Sequence, residues 1–405
     1  MNKVTFIFLL MILFASCDKM DITTSQTDSF VKFYNTFPVF TGADVKEIPG
    51  KGYAVIGTVN TYTSGSQICL IRTDQYGNSL DSARYFGRAL DDQAYCLQVL
   101  NDHGLAILGS SVDPATGKKQ AYFIRTDSVG NTLWFKFMGA NTVNTEGYHF
   151  EVTPDGSFIM TGSTESIKSE GLNKDIWLFG MDSEGNNLAN WSAPRLIGGV
   201  KDDVGTYLQL LGNGNIVITG MTKSYPSDTS KTFYNHAFVI ITNPIGGVNS
   251  FCWIASARDE EGTGIRILND ESFIVVGTSN YTDSGTGTDI MLKKVTITQL
   301  DQVINWEKTF GGIGNDFGNS LILRDNFLYM LVTNASAGTN SSIALLSTNL
   351  DGNNPVFSYI GEGTEMSGSS FSATSDNGFI IAGTNKHSDS NKSLALIKLK
   401  ADGSL

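Results

Sequence analysis

Cysteine, histidine, proline and charge are all scarce in this 405-residue chain. The four cysteines, Cys17, Cys69, Cys96 and Cys252, form no CxxC pair and no zinc-ligand spacing. That excludes a zinc finger and a disulfide-dense scaffold. Cys69 and Cys252 stand in apolar runs and are expected as buried small hydrophobes; a Cys69–Cys96 disulfide is the alternative. The histidines, His103, His149, His236 and His387, fit no HExxH or related ligand spacing. No Gly-x-Ser-x-Gly elbow marks a hydrolase nucleophile. Proline occurs only 8 times and charged residues make up 17%, below the usual quarter. After residue 17 no apolar run approaches transmembrane length.

Positive charge is also in deficit. The formal net charge is −12. Lys3 is the only charged residue ahead of Cys17, so the remainder carries −13. Such a surface repels phosphate backbones and anionic headgroups, which argues against nucleic acid and against electrostatic membrane binding.

The first 17 residues read as an address. Lys3 is followed by an unbroken apolar run from Phe6 to Ala15, then Ser16 and Cys17. Ten apolar residues are too few to span a bilayer but suit a signal-peptide core. The ending Phe14-Ala15-Ser16-Cys17 resembles the lipobox of bacterial lipoproteins. That resemblance implies cleavage before Cys17, diacylation of its thiol and acylation of the new amine. Several acyl chains together hold a protein stably at a membrane. The expected organisation is therefore a signal peptide over 1–16, a lipidated Cys17 with a flexible tether over 17–29, and one folded domain over 30–405. Asp18 fits an inner-membrane retention rule in some bacteria, and acidic residues near the lipidated Cys mark surface export in others. The expected location is the cell envelope, with the outer membrane or cell surface favoured.

What the chain has in abundance is glycine, 43 residues, and a repeated phrase. An apolar run ending in Gly and a small residue occurs at Gly57-Thr58, Gly109-Ser110, Gly162-Ser163, Gly220-Met221, Gly277-Thr278 and Gly383-Thr384, with a Gly-less copy at Val332-Thr333. The spacing runs from 51 to 58 residues. Each copy follows a turn such as Pro154-Asp155-Gly156 or Gly212-Asn213-Gly214, and precedes a third apolar strand, a Gly-Asn turn and a fourth strand of Trp134-Phe135-Lys136-Phe137 type. Asp-Gly and Asn-Gly are strong hairpin signals. Four short strands per repeat with no helical periodicity predict propeller blades. The expectation is an all-β, seven-bladed β-propeller of four-stranded antiparallel blades. Its last unit stops before a fourth strand, and Phe30-Val31-Lys32-Phe33-Tyr34 matches the missing one, so the N-terminal strand is expected to complete the last blade.

These units resemble bacterial extracytoplasmic propeller repeats of the pattern Asp-Gly-Gly-Tyr-Ile-Val-x-Gly, Leu-x-Lys-Leu-Asp-x-x-Gly-Asn and Trp-x-Lys. The resemblance is carried by Asp376–Thr384, Leu394–Leu405 and Trp306–Asp316, and it extends over residues 30–405. It implies a fold, because propellers host enzymes, lectins and scaffolds alike.

Two sets of residues are candidates for function. Acids recur at the crossings between units: Asp92, Glu146, Asp203, Glu261, Asp316 and Glu365, usually with Ala or Gly a few residues on. They read either as a ring of carboxylates for a cation such as Ca²⁺ or as capping groups that accept backbone N–H bonds, with capping preferred and no metal or other cofactor assigned. The longest loops between second and third strands fall at Ser163–Lys174 and Thr222–Asn235. The second holds Tyr225, Phe233 and Tyr234, followed by His236. Exposed aromatics offer faces to sugars or partner side chains. The expected role is a monomeric, non-catalytic binding or scaffold module for a protein partner or glycan, with a carbohydrate-active or other hydrolytic propeller enzyme as the alternative.

Overall fold

The computed structural model describes residues 28–61, 65–88, 90–168, 171–224, 234–254, 258–280, 287–298, 301–335, 340–361 and 365–405. The expected signal segment, Cys17 and most of the tether lie outside the described residues.

Alternating apolar strands and Gly-bearing turns fold into antiparallel sheets. The first strands of successive units are Val39–Ile48, Gln93–Val99, Thr145–Val152, Asp203–Leu210, Glu260–Asn269, Phe317–Arg324 and Glu365–Ala373. Each contacts the next, and the last contacts the first, so the arrangement closes on itself. Hydrophobic clusters fill the wedge between successive sheets. Ile176, Leu178, Ile216, Ile218 and Phe238 form one, and Val45, Val55, Ile380, Leu394 and Leu396 join the end of the chain to its beginning. Each fully buried side chain of this size contributes about 1.5–3 kcal/mol.

The expectation of seven blades is corrected by the hydrogen-bond pattern. The described strands form six sheets. Five are separate blades, within residues 93–138, 145–197, 203–254, 260–315 and 317–360; the fourth of these carries an additional strand, Gly314–Asn315. The sixth is a single eight-stranded sheet that merges the first and last units. Its seam has a local cause. Phe30–Tyr34 lies antiparallel to Asn391–Leu399, with Phe30 opposite Lys398 and Tyr34 opposite Leu394. The short connection 35–38 then runs beside the same strand. Lys392 N–H donates to Pro38 O at 2.7 Å, and Val39 pairs in parallel with Lys392. Repeated phrases count sequence units, whereas sheets are defined by hydrogen bonds, and here one bridge fuses two units.

The repeated motifs clamp neighbouring units together. In the Asp-x-x-Gly-Asn turn, Asp74 Oδ1 accepts the N–H groups of Tyr76 (2.9 Å) and Asn78 (2.8 Å). The aromatic-x-Lys strand of the preceding unit packs on that turn. Lys136 donates to Gly185 O at 2.8 Å, and a Cβ on Gly185 would lie 3.0 Å from the Trp134 ring. Phe30 and Lys32 pack in the same way against Gly77, and Tyr34 OH donates to Gly77 O at 2.7 Å. The glycine of the repeated phrase is required by close approach: a Cβ on Gly162 or Gly220 would fall 1.9 Å from Glu146 O or Val204 O.

Cys69, Cys96 and Cys252 are buried free thiols, so the Cys69–Cys96 disulfide is not formed. Burial pushes the Cys69 thiol up to about 12 and Cys252 up to about 11.

Candidate functional site

The first strands share a device that builds a central channel. Each contains a bulge immediately after a small residue, at Gly42, Ala94, Gly147, Gly205, Gly262, Gly318 and Gly368. A bulge inserts one unpaired residue and re-aims its side chain. The inserted residues are Ala43, Tyr95, Tyr148, Thr206, Thr263, Asn319 and Ser369, and all line one cavity of about 360 Å³. Further along the strands, toward the hairpin turns, Lys46, Gln98, His149, Tyr207 and Arg266 line the same cavity.

Much of this polar lining holds the ring together. Asp44 accepts from Lys46 Nζ (2.7 Å), Val45 N (2.8 Å), Ser370 Oγ (2.6 Å) and, from the next unit, Leu97 N (2.8 Å). Beside the cavity, Gln209 Oε1 accepts Ile267 N at 3.1 Å. His149 stacks on Tyr207 with ring centroids 3.7 Å apart, and its Nδ1 makes a long 3.5 Å contact with Leu208 N. Burial, reinforced by Lys46 and Arg266, holds this imidazole well below its usual range and therefore neutral.

One feature of the channel remains open to a ligand, and one ionisable group lies beside it. At the end near the crossings, the Tyr95 and Tyr148 rings meet edge to face at 5.1 Å. Their hydroxyls reach Glu146, at 3.3 and 3.1 Å, and Lys119 Nζ pairs with the same carboxylate at 2.7 Å. Glu151, on the strand that carries His149, is half-buried and lines the adjoining cavity beside Gln209 rather than the channel itself. Burial pushes its carboxyl up to about 7, against the opposing pull of Arg266 and Lys46. A carboxyl at that value exchanges a proton near neutrality.

The acids singled out from the sequence do not form a ring. Asp92, Asp203 and Asp316 fold back on their own crossings and accept the N–H of the residue four positions earlier: Arg88 at 2.9 Å, Gly199 at 2.7 Å and Gly312 at 3.1 Å. These are capping contacts. In the fifth unit the buried acid at the corresponding place is Glu260, whereas Glu261 is exposed. Glu146 stands at the channel mouth, and Glu365 pairs with Lys386 at 2.9 Å, away from the others. Among the described residues no three His, Cys, Asp or Glu side chains converge as a metal-holding group.

The aromatic loop is only partly in view. Tyr225 and Phe233 lie outside the described residues. Tyr234 is half-buried, and His236 is the wholly buried first residue of strand His236–Thr242, which corrects its placement in a binding loop. Most of the other long stretch, Ser163–Lys174, belongs to a strand pair with Ile167 opposite Leu172 near its tip. The channel was missed because its residues differ from unit to unit. Only the small residue before each bulge repeats, and the recurring acids drew attention to the wrong side of it.

No protein-family model matches the chain, and comparison with curated proteins returns no match. Among solved structures it resembles a polysaccharide lyase described as an ulvan lyase, at 9% identity over 93% of this chain and 96% of that one, with a TM-score of 0.59. The same lyase bound to -[GlcA(1-4)Rha3S]- gives a TM-score of 0.57 at the same identity and coverage. An acylaminoacyl peptidase from Pyrococcus horikoshii matches at 12% identity over 91% of this chain and 54% of that one, with a TM-score of 0.50. At these identities the likeness concerns architecture alone, and the chain is an all-β propeller of four-stranded blades.

Proposed function

We propose that the protein is an exported, monomeric binding module, tethered to the cell envelope through a lipidated Cys17, that takes a glycan segment into its central channel. One observation carries the reading. A polar cavity of about 360 Å³ is lined from every first strand and bears the Tyr95–Tyr148 pair with its hydroxyl–carboxylate network. The volume falls within the range of small-ligand pockets and is too small for a folded partner. Tyrosine rings give an apolar face and a polar tip, which suits a sugar ring with its hydroxyls. The ulvan lyase shows that a propeller of similar outline holds a polysaccharide. The test is a glycan-array screen followed by calorimetry on Tyr95→Ala and Tyr148→Ala. Binding should drop about tenfold or more in each variant, in line with the loss of one well-packed aromatic contact. Equal binding by wild type and both variants retires the channel as the site.

A hydrolytic propeller enzyme is the second reading, and Glu151 favours it, since a carboxyl near 7 suits a general acid. Glycoside hydrolysis needs a second carboxylate across the scissile bond. Of the carboxylates at the channel, Asp44 is engaged by four donors and Glu146 by Lys119 and two tyrosine hydroxyls, which supports the non-catalytic reading. Release of reducing ends from a bound glycan, lost in Glu151→Gln, would reverse that preference.

A further inference from the structure

Two ionisable side chains are not consumed by the framework: Arg266, which lines the channel, and Glu151, which lines the adjoining cavity beside Gln209 and feels the charges of Arg266 and Lys46. Arg266 spends Nη1 on the Tyr207 hydroxyl (3.0 Å) and on Ile265 O (2.7 Å), with its guanidinium 5.4 Å from the Tyr207 ring centroid. Its Nε and Nη2 have no protein acceptor among the described residues, and neither does the Glu151 carboxyl have a donor. The guanidinium is thus fixed by one nitrogen and open along an edge that carries two parallel donors. That fork matches the two oxygens of a carboxylate.

Charge selects the ligand further. Lys46, on the strand Val39–Ile48, is paired with Asp44 at 2.7 Å. From the neighbouring strands the cavity receives Tyr95, Cys96 and Gln98, then Tyr148 and His149 on Glu151's own strand, then Tyr207 and Arg266, and burial keeps the Tyr95 and Tyr148 phenols neutral. The strands Phe317–Arg324 and Glu365–Ala373 supply no titratable side chain to the cavity. His149 is neutral, and burial pushes the Cys96 thiol and the Tyr207 phenol up, so both are neutral as well. Lys46, Arg266 and Asp44 then sum to one positive charge when Glu151 is protonated and to none when it is ionised with them. A monoanion matches the first state.

We infer that the inner part of the channel is a carboxylate subsite that takes a uronic-acid-type residue of a glycan on the free edge of Arg266. This rests on the glycan reading above and adds the ligand's charge to it. One proton enters with each carboxylate and resides on Glu151, whose ionised form would compete for the charge of Arg266.

The test titrates the full chain with D-glucuronate, D-glucose as the neutral counterpart, and sodium sulfate as an inorganic anion. Glucuronate should bind about tenfold or more tightly than glucose near pH 6 and weaken about tenfold by about pH 8, as Glu151 ionises. Calorimetry in buffers of different ionisation enthalpy should show proton uptake. Arg266→Met should bring glucuronate down to the affinity of glucose. Arg266→Lys, which keeps the charge but not the fork, should lose most of the preference and guards against misfolding of the first variant. Glu151→Gln should bind glucuronate without the pH dependence. Glucose and glucuronate binding equally would overturn the carboxylate subsite and leave the glycan reading standing. Glucuronate preference surviving in both Arg266 variants, or sulfate binding as tightly as glucuronate, would also overturn it. If neither sugar binds, both readings fall.

Discussion

Lys293 sets its ammonium against both carboxylate oxygens of Glu260, at 2.9 and 2.8 Å, with side-chain exposures of only 1% and 0%. Arg258 approaches the same carboxylate at 3.3 Å, and Glu307 lies 3.4 Å from Lys293. Breaking a buried pair leaves one charge without its partner, whereas replacing both partners with apolar groups is often neutral. Because Arg258 stays beside Glu260, Lys293→Met should cost about 3 kcal/mol, the lower end for a broken buried pair. The double variant Glu260→Leu, Lys293→Met should recover most of that loss in urea denaturation. A single variant as stable as wild type would show that the pair contributes nothing.

Deleting residues 30–34 should unpair the outer side of strand Asn391–Leu399 and uncover the Gly77 turn on which Phe30 and Tyr34 pack. Loss of these half-buried aromatics costs a few kcal/mol, and an open edge strand invites association. Calorimetry and light scattering should report a lower melting temperature and larger particles. Identical melting curves for the two chains would count against closure through the N-terminal strand.

Glu151 gives stability a pH signature. Its carboxyl stands at about 7 in the fold against an ordinary 4.5. The folded state therefore holds the proton more tightly than the unfolded chain. The associated stability is complete below about pH 4.5 and is lost as pH rises through about 7. Glu151→Gln lacks this loss, so its urea midpoint should gain on that of wild type between about pH 5 and about pH 8. Midpoints that stay parallel across this range would remove Glu151 as the titrating group.

Architecture was legible in the sequence because its signals repeat. The phrase at Gly162 and Gly220, the turns at Asp74 and Gly185, and the Trp134–Lys136 clamp each meet one geometric need many times. The fused sheet was not legible, because it depends on a single bridge, Val39 to Lys392, that belongs to no repeat. The channel was half legible. The small residues at Gly147 and Gly262 were visible, but the bulges that turn Tyr148 and Thr263 inward are a matter of register, which periodicity does not report. His236 read as a loop residue because its neighbours are polar and aromatic, yet strand pairing with Thr222 draws it into the interior.

The pairing of Phe30–Tyr34 with Asn391–Leu399 also bears on the order in which the fold can form. Intermediate blades form from neighbours in the chain, so they can assemble as synthesis proceeds. The seam needs strands from opposite ends, and nothing local substitutes for residues 391–399. Contacts so distant in sequence form slowly, because the intervening chain must first be brought together. Closure of the seam is therefore the step expected to be slow, and the hazard of cross-pairing between copies is expected to be greatest before it.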